Sequence, residues 1–369
     1  MKKQLMKAAG VAIALFLLHA CSKNLQEQPG QDPVNTLNSK AAPVANDRDG
    51  KELHTFLKSQ APKWEVYDIK AEGGQIKTKD GAVFTFPQNS LLLPSGAPAT
   101  GAAVVYIRRI SRPSDMVLDS KPTGTIAGEQ LVSYGEFFIG AAQGSQQLRL
   151  RPGTAVTATI PAIKVDNLRQ IPMWDGDTTT LAVLKGYNYL NQVDSVVVPY
   201  SANRGIEWKA NGNVAAVDPV NQTATFRIDN LFRWANCDAL LHMPGSKTTV
   251  LGYFTNFYNA AADNSFGGME PTMLFYKPAN LNAVIKFFTP ILVAPVGFQG
   301  FMSYQNAVPI GQSGTFLAIS ALNGNYYAEL RSVTIPAPPA GQNYVAFSFN
   351  LQPVTQAQLL ALINNLNSL

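Results

Sequence analysis

Thr78-Lys79-Asp80-Gly81-Ala82-Val83-Phe84-Thr85-Phe86-Pro87 decides the fold. Lys79-Asp80-Gly81 is a hairpin-type turn, because Gly tolerates a positive φ. Residues 82–86 then alternate small or apolar side chains with period two, as a half-buried strand does. Pro87 removes an N–H donor and stops the strand. The same texture recurs outward in both directions. Ala-Thr-Phe-Arg-Ile (224–228) repeats the alternation. Runs of similar length lie at 103–110, 135–141, 155–160, 180–183 and 195–200. Asn211-Gly212-Asn213 reads as another hairpin turn. A second block of runs follows at 248–257, 272–276, 283–288, 314–320, 326–330 and 344–351, with turns at Pro309-Ile310-Gly311 and Asn323-Gly324-Asn325. Short strands at regular spacing predict an all-β chain of two or three tandem β-sandwich domains.

One helix stands out. Thr355 can cap it, Gln358 completes a capping-box pattern, and Leu359, Leu362, Ile363 and Leu366 recur at helical spacing. It is expected to pack on the last β-domain.

The N-terminus carries a different signal. Lys2, Lys3 and Lys7 precede an apolar run from Ala8 to Leu18, too short to span a bilayer core of about 30 Å. The run ends in Leu18-His19-Ala20-Cys21, which resembles the lipobox of bacterial lipoproteins. That resemblance implies cleavage before Cys21, acylation of its sulfur and its freed amine, and stable anchoring by more than one chain. Ser22 in place of Asp implies the outer membrane. Residues 1–20 are thus expected to be a signal peptide and 21–63 a flexible tether rich in Gln, Asn, Asp, Pro and Ala, with a helical turn at 52–57. The remaining boundaries are read at 64–162, 163–243 and 244–369.

Composition narrows the function classes. The 369 residues include 29 Lys+Arg and 24 Asp+Glu, a formal +5. Without the three signal lysines, 26 basic residues face 24 acidic ones, so charge gives no reason to expect nucleic acid. Charged residues are 14% of the chain against roughly 25% in ordinary soluble domains, which points to Ser/Thr/Asn/Gln surfaces. Two Cys and three His argue against disulfide scaffolds, Cys-based zinc clusters and His-based catalysis. No cofactor is expected.

A family likeness emerges between 64 and 242. Gly73-Gly74 is followed by the Asp80-to-Ser90 segment with its Phe-x-Pro ending, by Gly101-Ala-Ala-Val-Val-Tyr106, by Ser114-Asp115-Met116, and by Arg151-Pro152-Gly153 before the alternating run to Pro161. This resembles the ZU-type β-sandwich of zonula occludens proteins, ankyrins and netrin receptors, most of all the versions in Bacteroidetes surface lipoproteins. Phe232-Arg-Trp234-Ala-Asn236-Cys237-Asp238 resembles the aromatic-Asn-x-Asp segment that ends the next region of those proteins. Some ZU-type domains cleave themselves at His-Phe-Ser, a tripeptide this chain lacks. The resemblance therefore implies a scaffold or interaction module.

Candidate sites are few. Cys237, Asp238 and His242 are close in sequence, but a nucleophile and base must share a hydrogen bond, and a buried small residue explains Cys237. Asp115, Asp119, Glu129 and Glu136 could supply a carboxylate pair for glycoside hydrolysis, or serve as satisfied core-edge carboxylates. Asp175 and Asp177 flank Gly176 in what reads as a solvated turn, a weak start on the six to eight oxygens calcium needs. Phe298, Phe301 and Tyr304 lie in a Gly-containing stretch and are the aromatics singled out for ligand contact. The sequence thus predicts a lipid-anchored, non-enzymatic envelope protein acting as a scaffold or adhesin-like module. Its partners would be the membrane through its lipid and a protein or glycan. A glycan-binding lipoprotein using exposed aromatics is the alternative, and a carboxylate hydrolase the weakest reading.

Overall fold

The Asp80-Gly81 turn closes the hairpin between strands Gly74–Lys77 and Val83–Phe86, with Gly81 at φ 88° and the Thr78 amide donating to Ala82 O at 2.8 Å. In the computed structural model the described residues are 47–161, 170–177, 182–187, 193–198, 206–241, 243, 245–258, 270–291 and 299–369. Cys21, its lipobox residues Leu18, His19 and Ala20, the chain before residue 47, His242 and Phe298 lie outside them.

The hairpin belongs to a sheet of eleven strands. In hydrogen-bonded order it runs Glu65–Lys70, Ala102–Ile110, Leu131–Gln143, Arg233–Leu240, Gln170–Asp177, Glu207–Asp218, Thr223–Ile228, Val156–Pro161, Val83–Phe86 and Gly74–Lys77, with Gln146–Gln147 added beside Leu131–Gln143. The first and last strands of this path are joined by the short turn at 71–73, so the sheet rolls round one core. Gly73 takes φ 132° there, and a Cβ would stand 2.9 Å from Pro87 O, so backbone proximity demands glycine. Alternation supplies the filling: Phe84, Phe86, Ile107, Phe137, Ile160 and Phe226 all point inward.

The second half is a two-sheet sandwich. One sheet orders Thr289–Pro290, Gly300–Met302, Lys247–Phe254 and Val308–Pro309, with Tyr344–Phe349 parallel to Lys247–Phe254. The other orders Ile285–Phe287, Thr272–Pro278, Ser313–Leu322, Asn325–Thr334 and Gln352–Val354. Thr272–Pro278 is buried at every position, so both of its faces need partners. Leu274 and Tyr276 face the sandwich interior with Phe287, Phe316 and Phe349. Met273 and Phe275 face the other way, under three helices. The Asn323-Gly324 hairpin has φ 50° and 75°, the two positive values a type I′ turn requires.

Those helices are α1 (Asp47–Gln60), α2 (Pro113–Leu118) and α3 (Gln356–Asn365). The capping box on α3 forms fully: Gln358 N donates to Thr355 Oγ1 at 3.2 Å, and Thr355 N donates to Gln358 Oε1 at 2.8 Å. Leu359, Ile363 and Leu366 then bury against the sandwich. Helix α1 corrects the expected tether over 47–60. Leu53, Leu57 and Ala61 recur at four-residue spacing and are 0, 1 and 2% exposed, so this segment is part of the core. Helix α2 links the two β bodies, because Met116, Val117 and Leu118 of the rolled-sheet half lie in the same cluster as Met273 and Phe275.

Two turn assignments also change. Asn211-Gly212-Asn213 is a bulge inside the long strand Glu207–Asp218, and Trp174-Asp175-Gly176-Asp177 is the end of strand Gln170–Asp177. Long pairing on both flanks outweighs the local turn preference of Asn-Gly. The described residues are all-β in class, with the three α-helices and a closing 3-10 turn, Leu366–Ser368, added.

Candidate functional site

The outer face of the first four strands of the rolled sheet is organised in rows that cross the strands. The registers place Val66 opposite Tyr106, Tyr106 opposite Gly140, and Arg108 opposite Phe138, which is opposite Trp234. One row further along, Ile110 stands opposite Glu136, which stands opposite Asn236. The face therefore passes from a buried polar row to an aromatic row and then to an exposed row.

The buried row holds the strongest electrostatics. Glu136, Asn236 and Asp238 are all 0% exposed. Burial drives Glu136 well above the usual carboxylate range, and the neighbouring Asp238 charge adds to the shift. Burial pushes Asp238 up to about 7, although Ser133, Asn236 and the Tyr134 amide favour its charged form. The Asn236 amide donates to Asp238 Oδ2 at 2.6 Å. A strand irregularity between Asn236 and Asp238, with Gly135 at φ 145°, packs these side chains together. Beside them, Arg108 pairs with Asp119 at 2.8 Å, and Lys121 sits 3.9 Å from Asp119 and 5.0 Å from the Trp234 ring centre. Desolvation outweighs the Lys121–Asp119 attraction: Asp119 is raised and Lys121 lowered. Arg112 clamps Asp115 through two hydrogen bonds of 3.0 Å. The carboxylates weighed for hydrolysis are thus mostly in a seam between the rolled sheet and the sandwich, while Glu129 lines clefts at its margin.

Across the aromatic row, Arg108 lies 5.4 Å from the Trp64 ring centre, and Phe138 meets Trp64, Phe232 and Trp234 edge-on at 5.3, 6.3 and 5.6 Å. Trp64 remains 45% exposed, and beyond it Val66 and Tyr106 are 57% and 36% exposed. Gly140 leaves a trough there, filled from one side by Phe232. This is a contiguous aromatic and aliphatic strip on an open sheet face.

The other sequence candidates are dispersed. Phe301 is 1% exposed in the sandwich core, against Phe254 and Tyr258. Tyr304 donates from its hydroxyl to Glu207, and its ring meets Phe288 edge-on at 5.8 Å in a mostly apolar cleft. Cys237 is buried in the rolled core, and burial raises its thiol pKa far above the ordinary value. Asp175 accepts from Asn211 Nδ2 at 2.9 Å. No group of three or more His, Cys, Asp or Glu that could hold a metal occurs among the described residues. None of the helices among them is long and apolar enough to cross a membrane.

Two features escaped the sequence. Trp64–Lys70 and Ala102–Ile110 carry apolar residues at both parities, which signals strands with two apolar faces; Val66 and Tyr106 could have been found that way. The second is a buried trio, in which Lys286 donates to Glu270 and His54 of α1 stands 3.6 Å from the other Glu270 oxygen. These residues are distant in sequence, and no local pattern announces them. Comparison of the chain with protein-family models, curated proteins and solved structures finds no match.

Proposed function

We propose that the protein is a non-enzymatic interaction module of the cell envelope, held at the outer membrane by acyl chains on Cys21, that binds a protein partner through the strip around Trp64, Val66 and Tyr106. The observation that carries this reading is the strip itself. Three adjacent large side chains, two of them aromatic, stay exposed on a sheet face whose neighbouring rows are packed. Contiguous apolar surface of this kind marks interaction sites, and aromatic residues with an adjacent Arg are the usual anchors of protein interfaces. The buried carboxylates support the same view, since Glu136 and Asp238 lie in a seam with 0% exposure. A ZU-type scaffold role fits as well.

The test is site-specific photo-crosslinking in cells at position 66, with Val220 as control because it is exposed alone at 88%. A discrete adduct at 66 that is lost in Trp64→Ala/Tyr106→Ala is expected. Equal labelling at both positions would overturn the reading. Separately, Cys21→Ala should release the protein from membranes.

A further inference from the structure

A second concavity opens on the rolled sheet, beyond Trp234 at the far end of the aromatic row. Opposite the single residue Met173, strand Glu207–Asp218 carries three residues, because Pro172 pairs with Val214 and Trp174 with Ala210. The surplus ejects Asn211-Gly212-Asn213 from the ladder, with Gly212 at φ 82°. Bulges re-aim side chains in this way. Asn213 N donates to Asn211 Oδ1 at 2.9 Å, which fixes the loop. The two amides then turn to opposite walls. Asn211 Nδ2 donates to Asp175 Oδ1 at 2.9 Å, and Asn213 Nδ2 donates to Asp229 Oδ2 at 3.1 Å. Arg227 reaches Asp229 Oδ1 at 3.4 Å, and Arg233 lines the same hollow. Its cavity volume is about 230 Å³, below the roughly 300–1,000 Å³ of drug-sized sites and suited to a single small ring.

We propose that this hollow binds a neutral polyhydroxylated ligand, a saccharide of one ring. The lining has two carboxylates, three primary amides and two guanidinium groups, with Trp234 at one side. Its formal charges cancel, so neither an anion nor a cation is favoured. Each group is planar and presents paired donors or acceptors at fixed spacing. Vicinal hydroxyls, which donate and accept at once, match that pattern. A divalent cation does not: each carboxylate already accepts from an amide N–H on one oxygen, and two carboxylates fall well short of the six to eight oxygens calcium takes.

The proposal goes beyond the protein-binding strip: the polar groups it uses are distinct from Trp64, Val66 and Tyr106. It is tested by saturation-transfer NMR and titration of the intact protein with glucose, galactose, mannose and N-acetylglucosamine. Glucuronate, glucosamine and calcium chloride are the charged probes. Saturation transfer to at least one neutral sugar is expected, with Kd raised about tenfold or more by Asp175→Ala and by Arg233→Ala, the loss of a hydrogen bond to a charged group. Circular dichroism confirms that both variants fold, and Asn213→Ser, which spares the bulge glycine, serves as a milder third. No transfer to any neutral sugar, transfer unchanged in the folded variants, or tighter binding of a charged probe would overturn it. Crosslinking at position 66 is independent of all these outcomes, so failure of one reading leaves the other distinguishable.

Discussion

Raising the pH from 5 to 8 should destabilise the protein, and Asp238→Asn should remove much of that loss. Asp238 is fully buried, and its pKa moves from 3.8 to about 7 on folding. Between those values the folded protein holds a proton that the unfolded chain has released. Unfolding then releases that proton, so stability falls by about 1.4 kcal/mol per pH unit. The contribution is complete below the unfolded value and is lost as pH rises through the folded one. Integrated from pH 5 to 8, this single carboxylate accounts for roughly 3 kcal/mol. Glu136 and Asp119 are raised by the same burial and act in the same direction. The lowered Lys121 acts oppositely, between its folded value and 10.5. Glu72, Asp80, Asp218 and Glu270 are lowered, so their losses fall on the acid side, below their unfolded values near 4. Urea unfolding followed by tryptophan fluorescence at pH 5, 6, 7 and 8 reads the slope. Asn at 238 keeps an oxygen for the Asn236 amide but cannot ionise. Wild-type stability that is flat or rising across this window would refute the reasoning. So would an Asp238→Asn protein with an unchanged slope.

Leu53→Ala should cost about 2–5 kcal/mol in the same assay, because Leu53 is completely buried; a cost near zero would restore the tether reading of 47–60. Glu270→Gln strips the buried Lys286 of its counter-charge and should cost about 3–5 kcal/mol by chemical denaturation. The Cys237 thiol should resist aromatic disulfide reagents in the native protein and react fully in denaturant, since burial holds it protonated; rapid native labelling would contradict its placement.

Much of the fold is legible locally. The Asp80-Gly81 and Asn323-Gly324 turns and the Thr355 capping box are decided within four or five residues, and each forms as read. The failures share a cause. Asn211-Gly212-Asn213 has the chemistry of a hairpin turn, but pairing on either side carries the strand through it as a bulge. Helix α1 has only a few apolar residues, and its stability comes from the sandwich beneath it, which local propensity does not contain. Helix α2 is six residues long and wholly buried, so it too depends on its surroundings. Glu136 looked ambiguous inside Gly-Glu-Phe-Phe-Ile, and the partners that settle its surroundings, Asp238 and Lys121, come from other elements.

The distinction between Val220 and Val66 decides how much the exposed surface means. Val220 is the more exposed of the two, yet it stands in a turn between two strands, and single exposed apolar residues are ordinary. Val66 is paired across the strand with Tyr106, and the adjoining row carries Trp64 and Phe138. Cross-strand pairs of this type already stabilise a sheet, by roughly 0.2–1 kcal/mol each. Pairing alone could therefore account for Val66 and Tyr106. It does not account for Trp64, which precedes the first strand, stands with Arg108 over its ring and keeps nearly half its surface in solvent. A residue that large at a strand entrance gains little for the fold by remaining open. Trp64→Ala thus separates fold support from binding: a role in packing on Phe138 predicts lost stability with binding intact, and an interaction face predicts the reverse.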